Sequence, residues 1–354
     1  MSIYDEITRI AQAKETIKLA IASKGVEISD ETKIDEYAVY INNIQAGGGD
    51  GEYESPGFYD TITKGGTDYR GLFACHQHSI DLSIYDTSKV THMDDMFAYY
   101  GNAGTKITNI NNLDFSSLIR AVGMFRYSYV IDSLDLSGAN FPVLENTNNM
   151  FMNMYNIESI DMSNVNIPNL LSATSMFAQS TSNKLTSINL TGANIVGVQG
   201  ADKIFQNCNK VTSLDLSGFD FSNATTVSGL FDGCKLLVEV VGEIDFSNLY
   251  QGFNQLSSSN PFRNCSALET IYLKNIYKNS SIKNDGKWSI DLSPTIIKDE
   301  CLIYIINELP DLINDKVLQA TDKVILTLPK TNTLTAEQVQ VALDKGWTVA
   351  NTTY

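Results

Sequence analysis

The sequence predicts an α/β repeat solenoid, in which short coils stack and their strands form a parallel sheet along one side. One observation is a motif of about 26 residues that recurs along most of the chain and joins an apolar residue and an Asp or Asn to a later Phe. The other is that apolar and polar residues alternate just before the acid, as in residues 211–217, which is the pattern of a strand with one buried face. Self-similarity at a period of roughly 20 to 50 residues is typical of stacked repeats.

Five copies of the motif keep the same interval of 17 residues from the apolar residue to Phe, which sets the repeat register. Looser copies occur at Ile110-Asn111 with Phe125, where the interval is 15, and at Asp245 with Phe262. The Phe residues of the last four regular copies are predicted to form one buried column. The regular copies are Ile80-Asp81 with Phe97, Leu134-Asp135 with Phe151, Ile160-Asp161 with Phe177, Ile188-Asn189 with Phe205, and Leu214-Asp215 with Phe231.

The rest of each coil predicts a turn followed by a short helical return. A second Asp or Asn stands five residues after the first, and side chains of this type bond the backbone of a turn and can stack as a ladder. The stretch that leads to Phe is long enough for a brief helix, whose apolar residues would close the core opposite one continuous parallel sheet. In successive coils the second residue is Asp86, Asn140, Asn166, Asn194 or Asp220.

Two segments show the repeat in full: residues 212–234 read TSLDLSGFDFSNATTVSGLFDGC and residues 80–97 read IDLSIYDTSKVTHMDDMF. They resemble the repeat of BspA-like surface proteins, a divergent leucine-rich-repeat group found in bacterial adhesins, lipoproteins and phage tail proteins. The resemblance covers roughly residues 70–290. It implies a leucine-rich-repeat-like fold and a binding function, although a fold alone does not determine function.

The N-terminal residues 1–46 predict helices. Five isoleucines follow the spacing of a coiled-coil seam, with Lys14 at the one missing position, so this segment is predicted to oligomerise, as a trimer. The segment resembles the helical N-terminal modules of phage tail fibres, which implies docking to other tail or baseplate proteins. A helical hairpin packed on its own chain is the alternative. The seam residues are Ile3, Ile7, Ile10, Ile17 and Ile21.

The remaining organisation follows from where the repeat begins and ends. Residues 47–70 are predicted to be a linker and N-terminal cap, residues 71–290 the solenoid, and residues 291–354 a C-terminal α/β cap, because a repeat stack needs a covered end. The predicted cap elements are a helix at Ile296–Leu309, a strand at Lys323–Leu328, a helix at Thr335–Lys345 entered by a capping Thr, and a strand at Gly346–Ala350.

Composition limits the classes of partner. The chain has 354 residues, of which 43% are hydrophobic and 19% charged, and a net charge of −16. Nucleic acid is therefore not an expected partner, because phosphate binding needs clustered Lys and Arg. The first ten residues lack the apolar core of a secretory signal, and no apolar run is long enough to predict membrane insertion.

Catalytic motifs are not recognisable, so no enzyme activity, catalytic residue, metal or cofactor is predicted. His76 and His78 with Asp94 or Asp95 could in principle hold a metal, but they are expected to be surface residues of a capping coil. Adjacent acids such as Asp94 and Asp95 do not place two carboxyls across a substrate.

The five cysteines have a regular placement. Cys208, Cys234 and Cys265 each follow a repeat Phe by three residues, and Cys75 follows one by two, which predicts a buried column of thiols. Disulfides or a metal site are the alternatives. Cys301 belongs to the C-terminal cap and has no assigned partner.

Tyrosines after successive Phe residues are the predicted ligand-binding residues. They would lie along one edge of three adjacent coils and offer a large contact area to a glycan or a protein. The alternative is that the rings pack between coils. The predicted binding residues are Tyr99, Tyr100, Tyr127, Tyr129 and Tyr155, and a second candidate surface is the row Thr108, Ser133, Ser159, Ser187 and Ser213.

Two functions are compatible with these features. The first is a phage or phage-like tail fibre and receptor-binding protein, located in the virion tail, which docks through its N-terminal helices and binds a host-surface glycan or protein through the solenoid. The second is a BspA-like adhesin of the bacterial cell surface. Both predict binding without chemical turnover.

Overall fold

The structure is a computed structural model that describes residues 67–101, 105–179, 184–249, 260–278, 289–314 and 324–352. All of them belong to one unit, Ile62–Tyr354. The predicted helical module of residues 1–46, with its isoleucine seam, lies outside the described residues. Within these ranges no helix has the length and apolar composition that crossing a membrane requires.

Short parallel strands carry the repeat, as predicted. Leu134 lies opposite Ile160, and Ile160 opposite Ile188, so equivalent apolar residues stack in the core. In the described residues the main sheet is divided into three parts, β1–β2, β3–β4–β6 and β8–β9–β10, and is not continuous. The strands are β1 (Ile80–Asp81), β2 (Ile107–Thr108), β3 (Ser133–Asp135), β4 (Ser159–Asp161), β5 (Asn166–Ile167), β6 (Ser187–Asn189), β7 (Asn194–Ile195), β8 (Ser213–Asp215), β9 (Glu239–Asp245) and β10 (Thr270–Lys274).

Each coil also pairs with the next on two further sides. Strands β5 and β7 pair in parallel beyond the first turn, and Asn140 and Phe219 extend this pairing on either side. A third column consists of single parallel bridges. This pairing on three sides makes the fold a parallel-sheet β-solenoid. The third column contains Asp68, His92, Arg120, Asn146, Ser172, Gly200 and Thr226.

The returns that lead to Phe are not helical, which corrects the prediction. The backbone N–H groups of Asp95, Phe97 and Tyr99 donate to carbonyls of the next coil at 2.7–2.9 Å, whereas the N–H of Ala98 bonds back to Asp95. Along the return, the N–H of one residue thus bonds to the next coil, and the N–H of the following residue bonds back within its own turn. A helix would satisfy all of these groups within one coil and leave the coils unpaired.

Left-handed backbone at two positions of each return explains this alternation. The residues two before and two after the repeat Phe have φ between 53° and 82° in most coils. Gly and Asn predominate there because they tolerate this conformation, and both are poor helix formers. This Gly and Asn pattern was the available signal against a helix. The positions are Gly71, Cys75, Asp95, Tyr99, Gly123, Tyr127, Asn149, Asn153, Ser175, Lys203, Asn207, Gly229, Gly233 and Asn264.

The repeat phenylalanines form one stacked column through the core, which confirms the predicted register. Neighbouring ring centroids are 5.3–6.0 Å apart and the ring planes differ by at most 20°. Every ring in the column is buried. Its members are Phe73, Phe97, Phe125, Phe151, Phe177, Phe205, Phe231 and Phe262.

The coil between Ile107 and Phe125 departs from the predicted register. Ile80 pairs with Ile107, so Thr108 takes the position of the repeat acid. The predicted pair Ile110-Asn111 instead lies in a 3-10 helix, Ile110–Asn112. Asn109 bridges the two coils by donating a hydrogen bond to Asp81 at 2.7 Å.

The repeat acids hold turns rather than forming a reactive row. The carboxylate of Asp135 accepts a hydrogen bond from the backbone N–H of Ser137 at 2.9 Å, and the same contact recurs in other coils. Hydrogen bonds from Asn109 and then from Ser83 lower the pKa of Asp81. The predicted Asn ladder is present, since Asn194 donates to Asn166 at 2.6 Å and Asn166 to Asn140 at 2.7 Å. The recurrent turns are Asp81–Ser83, Asp161–Ser163, Asn189–Thr191, Asp215–Ser217, Asp245–Ser247 and Asp291–Ser293.

A strand–helix alternation follows the last repeat, in the predicted order. Strands β11, β12 and β13 form a parallel sheet, and α1 packs on β10. Thr335 and Gln338 form the predicted capping box at the start of α2. The elements are β11 (Ser289–Asp291), α1 (Asp299–Glu308), β12 (Ile325–Thr327), α2 (Ala336–Asp344) and β13 (Thr348–Ala350).

Three cysteines form the predicted buried column. The thiols of Cys208, Cys234 and Cys265 donate to backbone carbonyls of the preceding coil at 3.0–3.2 Å, and all are buried. Burial raises the pKa of Cys265 to about 12. Cys75 is exposed, so its predicted place in the column is wrong. It stands two residues after Phe73, where the turn directs side chains outward, whereas the position three residues after Phe points inward.

The thiols are therefore expected to differ sharply in reactivity. In the native protein only Cys75 should react rapidly with a thiol reagent such as dithionitrobenzoate, because the other four cysteines are buried and low thiolate content slows attack. After denaturation all five cysteines should react. A Cys75→Ser variant is the control and should show no rapid reaction. Rapid labelling of Cys234 in the folded protein would contradict the assigned column.

Candidate functional site

Four of the five predicted tyrosines lie together on the surface and are called the tyrosine cluster: Tyr99, Tyr127, Tyr129 and Tyr155. The rings of Tyr99 and Tyr127 stack with centroids 4.8 Å apart, and those of Tyr129 and Tyr155 stack at 4.4 Å. Tyr127 joins the two pairs, since its ring lies 6.3 Å from that of Tyr155. Tyr99, Tyr129 and Tyr155 are each more than 40% exposed. The predicted edge is thus an exposed patch of continuous rings.

The repeat places the cluster in two neighbouring columns. Tyr99 and Tyr127 each follow a repeat Phe by two residues, and Tyr129 and Tyr155 each follow one by four. Backbone hydrogen bonds hold the columns in position, because the N–H of Tyr129 donates to Tyr100 and that of Tyr155 to Ser128, at 2.9 and 3.0 Å. The cluster is therefore carried by the same pairing that builds the solenoid.

Tyr100 does not belong to the cluster, which corrects its assignment as a binding residue. It is fully buried, and its hydroxyl donates to the backbone carbonyl of His78. Its ring stacks on His76 at 6.1 Å and meets Phe97 edge-on at 5.9 Å. Burial raises the pKa of Tyr100. Tyr100 occupies the inward position three residues after Phe97, the position that Cys208 occupies in a later coil.

Two members of the cluster have an unfavourable backbone conformation. Tyr99 and Tyr127 have φ of 55° and 58°, in the left-handed region. A bulky side chain there costs about 1–2 kcal/mol relative to glycine, and ring stacking returns about 0.5–1.5 kcal/mol. Most other coils place Asn or Gly at the same position, as at Asn153 and Gly233, although the first coil has Cys75 there. Strained residues of this kind cluster at functional sites, so the strain supports a functional role for the rings.

The charge beside the cluster is internally balanced. The guanidinium of Arg126 lies 5.9 Å from the ring centroid of Tyr99 and pairs with Asp95 at 2.6 Å. Gly123 leaves room for this pair, since a Cβ there would lie 2.4 Å from the Asp95 carboxylate. A hydrogen bond with Tyr129, and then partial burial, raises the pKa of Tyr155. The phenol of Tyr155 is accordingly neutral at physiological pH.

Small residues precede the cluster in both columns. Cys75 stands one coil before Tyr99 in the first column, and Gly101 one coil before Tyr129 in the second. Gly101 has no room for a side chain, since a Cβ would lie 2.4 Å from Val130. These two positions therefore contribute no aromatic ring to stack on Tyr99 or Tyr129. Tyr99 and Tyr129 are 43% and 42% exposed, and the Arg126 guanidinium lies over the ring of Tyr99.

The His and Asp residues weighed as a metal site have other roles. Asp94 accepts a hydrogen bond from the Val122 N–H at 2.8 Å and pairs with Arg120 at 3.2 Å. Asp95 is paired with Arg126. Across the described ranges, no group of three or more His, Cys, Asp or Glu could hold a metal ion.

The second candidate surface is regular in part. Ser133, Ser159 and Ser187 lie in one row, and Ser213 is equivalent in the next sheet segment, whereas Thr108 belongs to the row of acids. Sequence reasoning did not identify a groove on another side, with a volume of about 410 Å³ and a lining of both apolar and polar residues. Its lining includes Val143, Pro168, Leu171, Gln199 and Asn223.

Comparison with known proteins gives one family. The chain matches the family described as "Mycoplasma protein of unknown function, DUF285" over residues 67–191 and again over residues 188–270. These two stretches make up most of the solenoid and more than half of the 354 residues. No curated protein and no solved structure matches the chain.

Proposed function

Since the chain belongs to the DUF285 family and folds as a BspA-like parallel solenoid, we propose that it binds a ligand on a bacterial surface through the tyrosine cluster. The observation that carries the proposal is the exposed cluster itself, with two rings held in left-handed backbone where most other coils have Asn or Gly. Exposed, pre-positioned aromatic rings provide contact area at low entropic cost. We propose binding without turnover; Asp95, the acid beside the cluster, is paired with Arg126.

The biological setting we propose is a phage or phage-like tail, in which residues 1–46 dock to other tail or baseplate proteins and the solenoid meets the host. This setting rests on the resemblance of the N-terminal segment to tail-fibre modules. A BspA-like adhesin of the bacterial cell surface is the second candidate, and it rests on the resemblance of the repeats to those of BspA-like surface proteins. Detection of the protein in purified particles would favour the tail protein, and detection on the cell envelope would favour the adhesin.

Replacement of the cluster tests the binding role. The combined variant Tyr99→Asn, Tyr127→Asn and Tyr155→Ser should bind target cells at least about thirtyfold more weakly, because central aromatic anchors each contribute roughly 2 kcal/mol or more to binding. Its melting temperature should change little, since relief of the left-handed strain offsets the lost stacking. Flow cytometry of labelled full-length protein on cells of the encoding organism, or of the phage host, measures the binding.

The matched control removes exposed apolar side chains elsewhere. Val143 and Leu171 are about as exposed as the tyrosines, at 42% and 45%. The variant Val143→Ser with Leu171→Ser should therefore retain wild-type binding. If the tyrosine variant folds and binds like the wild type, the cluster is not the binding site.

The proposed attachment is tested by the mass of the protein in solution. The full chain should form an oligomer, with a trimer expected, and a chain lacking residues 1–46 should be monomeric, because an isoleucine seam needs a partner helix. Light scattering after size exclusion gives both masses. Lys14 in the seam weakens an isolated bundle, so capture of a tail protein by the N-terminus would also support attachment. A monomeric full chain at micromolar concentration that captures no partner would contradict it.

A further inference from the structure

We propose that the ligand of the tyrosine cluster is a neutral glycan, held by stacking of sugar rings on the outer faces of Tyr99 and Tyr129. This inference rests on the proposed function and specifies the chemical class of its ligand. It follows from three properties of the cluster: which ring faces remain open, what charge surrounds them and which polar groups border them.

The exposed rings suit a flat, partly apolar ligand. The rings of Tyr99 and Tyr127 stack face to face with centroids 4.8 Å apart, and those of Tyr129 and Tyr155 do so at 4.4 Å. One face of each ring is therefore covered by its neighbour. The outer faces of Tyr99 and Tyr129 are turned towards the coil before, where Cys75 and Gly101 stand in the two columns. Sugar rings carry C–H groups on one face, and these pack against the electron-rich face of an aromatic ring.

The surrounding charge favours a neutral ligand over an anionic one. Arg126 touches the cluster but pairs with Asp95 at 2.6 Å, so its charge is compensated. An acidic sugar or a phosphate would need a cation in place of this ion pair, and the net charge of −16 opposes its approach. A cationic ligand could contact the ring faces, but the carboxylate of Asp95 is already paired with Arg126 and would not bind it. Hydroxyl groups, by contrast, require only neutral donors and acceptors.

Such donors and acceptors border the rings. Each phenol can both donate and accept a hydrogen bond, and the half-buried Asn153 continues the column of Tyr99 and Tyr127 with an amide. Amide and phenol groups match sugar hydroxyls without introducing charge. The cluster extends over three coils, which is about 10 Å at the spacing of parallel strands. That length accommodates a short oligosaccharide segment aligned with the solenoid.

Selective treatment of the target cells tests the ligand class with full-length protein. Mild periodate cleaves the vicinal diols of sugars and should reduce binding at least tenfold, whereas protease treatment and raised salt should change it by less than twofold. Neutral oligosaccharides on a glycan array should retain the protein, and sialylated or phosphorylated ones should not retain it better. The variant Tyr99→Phe with Tyr129→Phe keeps both ring faces and should retain binding within about threefold. Tyr99→Asn with Tyr129→Ala should lose it, while the melting temperature reports that both variants fold.

The outcomes distinguish failure of the glycan inference from failure of the proposed binding function on which it rests. Binding that protease abolishes and periodate spares would identify a protein ligand, so the glycan inference would fail and the proposed function would stand. Preference for anionic glycans with strong salt dependence would overturn the inference in the same way. Loss of binding by the Phe variant as severe as by the Asn and Ala variant would show that ring faces are not the contact. Absence of cell binding, or binding indifferent to every tyrosine variant, would overturn the proposed function as well.

Discussion

Replacement of Phe177 by Ala is expected to lower the free energy of unfolding by about 3–5 kcal/mol, through loss of transfer energy and creation of a cavity. The ring is fully buried and stacks on Phe151 at 5.3 Å and on Phe205 at 5.5 Å. The substitution thus removes contacts in its own coil and at two interfaces. In a stack where each coil contacts only its neighbours, such interfaces carry the cooperativity. Urea denaturation followed by circular dichroism measures the change.

A conservative substitution and an exposed ring are the controls. Phe177→Leu keeps most of the volume and should cost less than about 1.5 kcal/mol. Tyr155→Ala removes an aromatic ring that is 41% exposed, so it should cost far less than Phe177→Ala. If Phe177→Ala and Tyr155→Ala have equal effects, the phenylalanine column does not hold the coils together.

Replacement of Gly218 by Ala is expected to cost about 3 kcal/mol, at the upper end of the range for overpacking. A Cβ at this position would lie 1.7 Å from the carbonyl oxygen of Ala193 in the preceding coil. The obstacle is backbone, which cannot rotate away as a side chain can. The two coils would have to separate, although the carbonyl of Gly218 accepts a hydrogen bond from Ile195 that holds them together.

Gly138 provides a control, because both glycines stand three residues after a repeat acid, although only Gly138 has a left-handed backbone. It has φ of 69°, but a Cβ there meets no atom within 4 Å. Gly138→Ala should therefore cost only the left-handed strain, about 1 kcal/mol. Asn164 already occupies the equivalent position in another coil with φ of 56°. Thermal unfolding of the two Ala variants compares them, and equal losses of stability would refute the clash at Gly218.

Tyr99 and Tyr127 stand where the backbone favours smaller residues. Asn or Gly would fit the left-handed positions of Tyr99 and Tyr127 better, as they do in other coils. A repeat protein offers this comparison internally, because the equivalent positions of most coils share the same left-handed backbone but carry different side chains. Where the side chain departs from what the backbone prefers, a role outside folding is the more economical explanation.

The candidate site was predicted from spacing, with one wrong member. Spacing from the repeat Phe placed Tyr99, Tyr127, Tyr129 and Tyr155 on one edge, and they meet there. Tyr100 follows the same rule of proximity in sequence but is buried. The side chains of consecutive residues in a turn point in different directions. Those directions depend on the backbone angles, and the predicted helical return did not have the angles of the observed turn.

The sequence by itself determined the period of the coils, the buried phenylalanine column, the Asn ladder and the capping box at Thr335. These features arise from local patterns, since apolar periodicity and turn-forming side chains act within a few residues. The tertiary structure alone decided that the returns pair between coils, that Tyr100 turns inward, and that Gly218 meets Ala193 while Gly138 meets nothing. The physical reason is that hydrogen bonds and close approaches between coils join residues about 26 positions apart, and their geometry exists only after the coils have stacked.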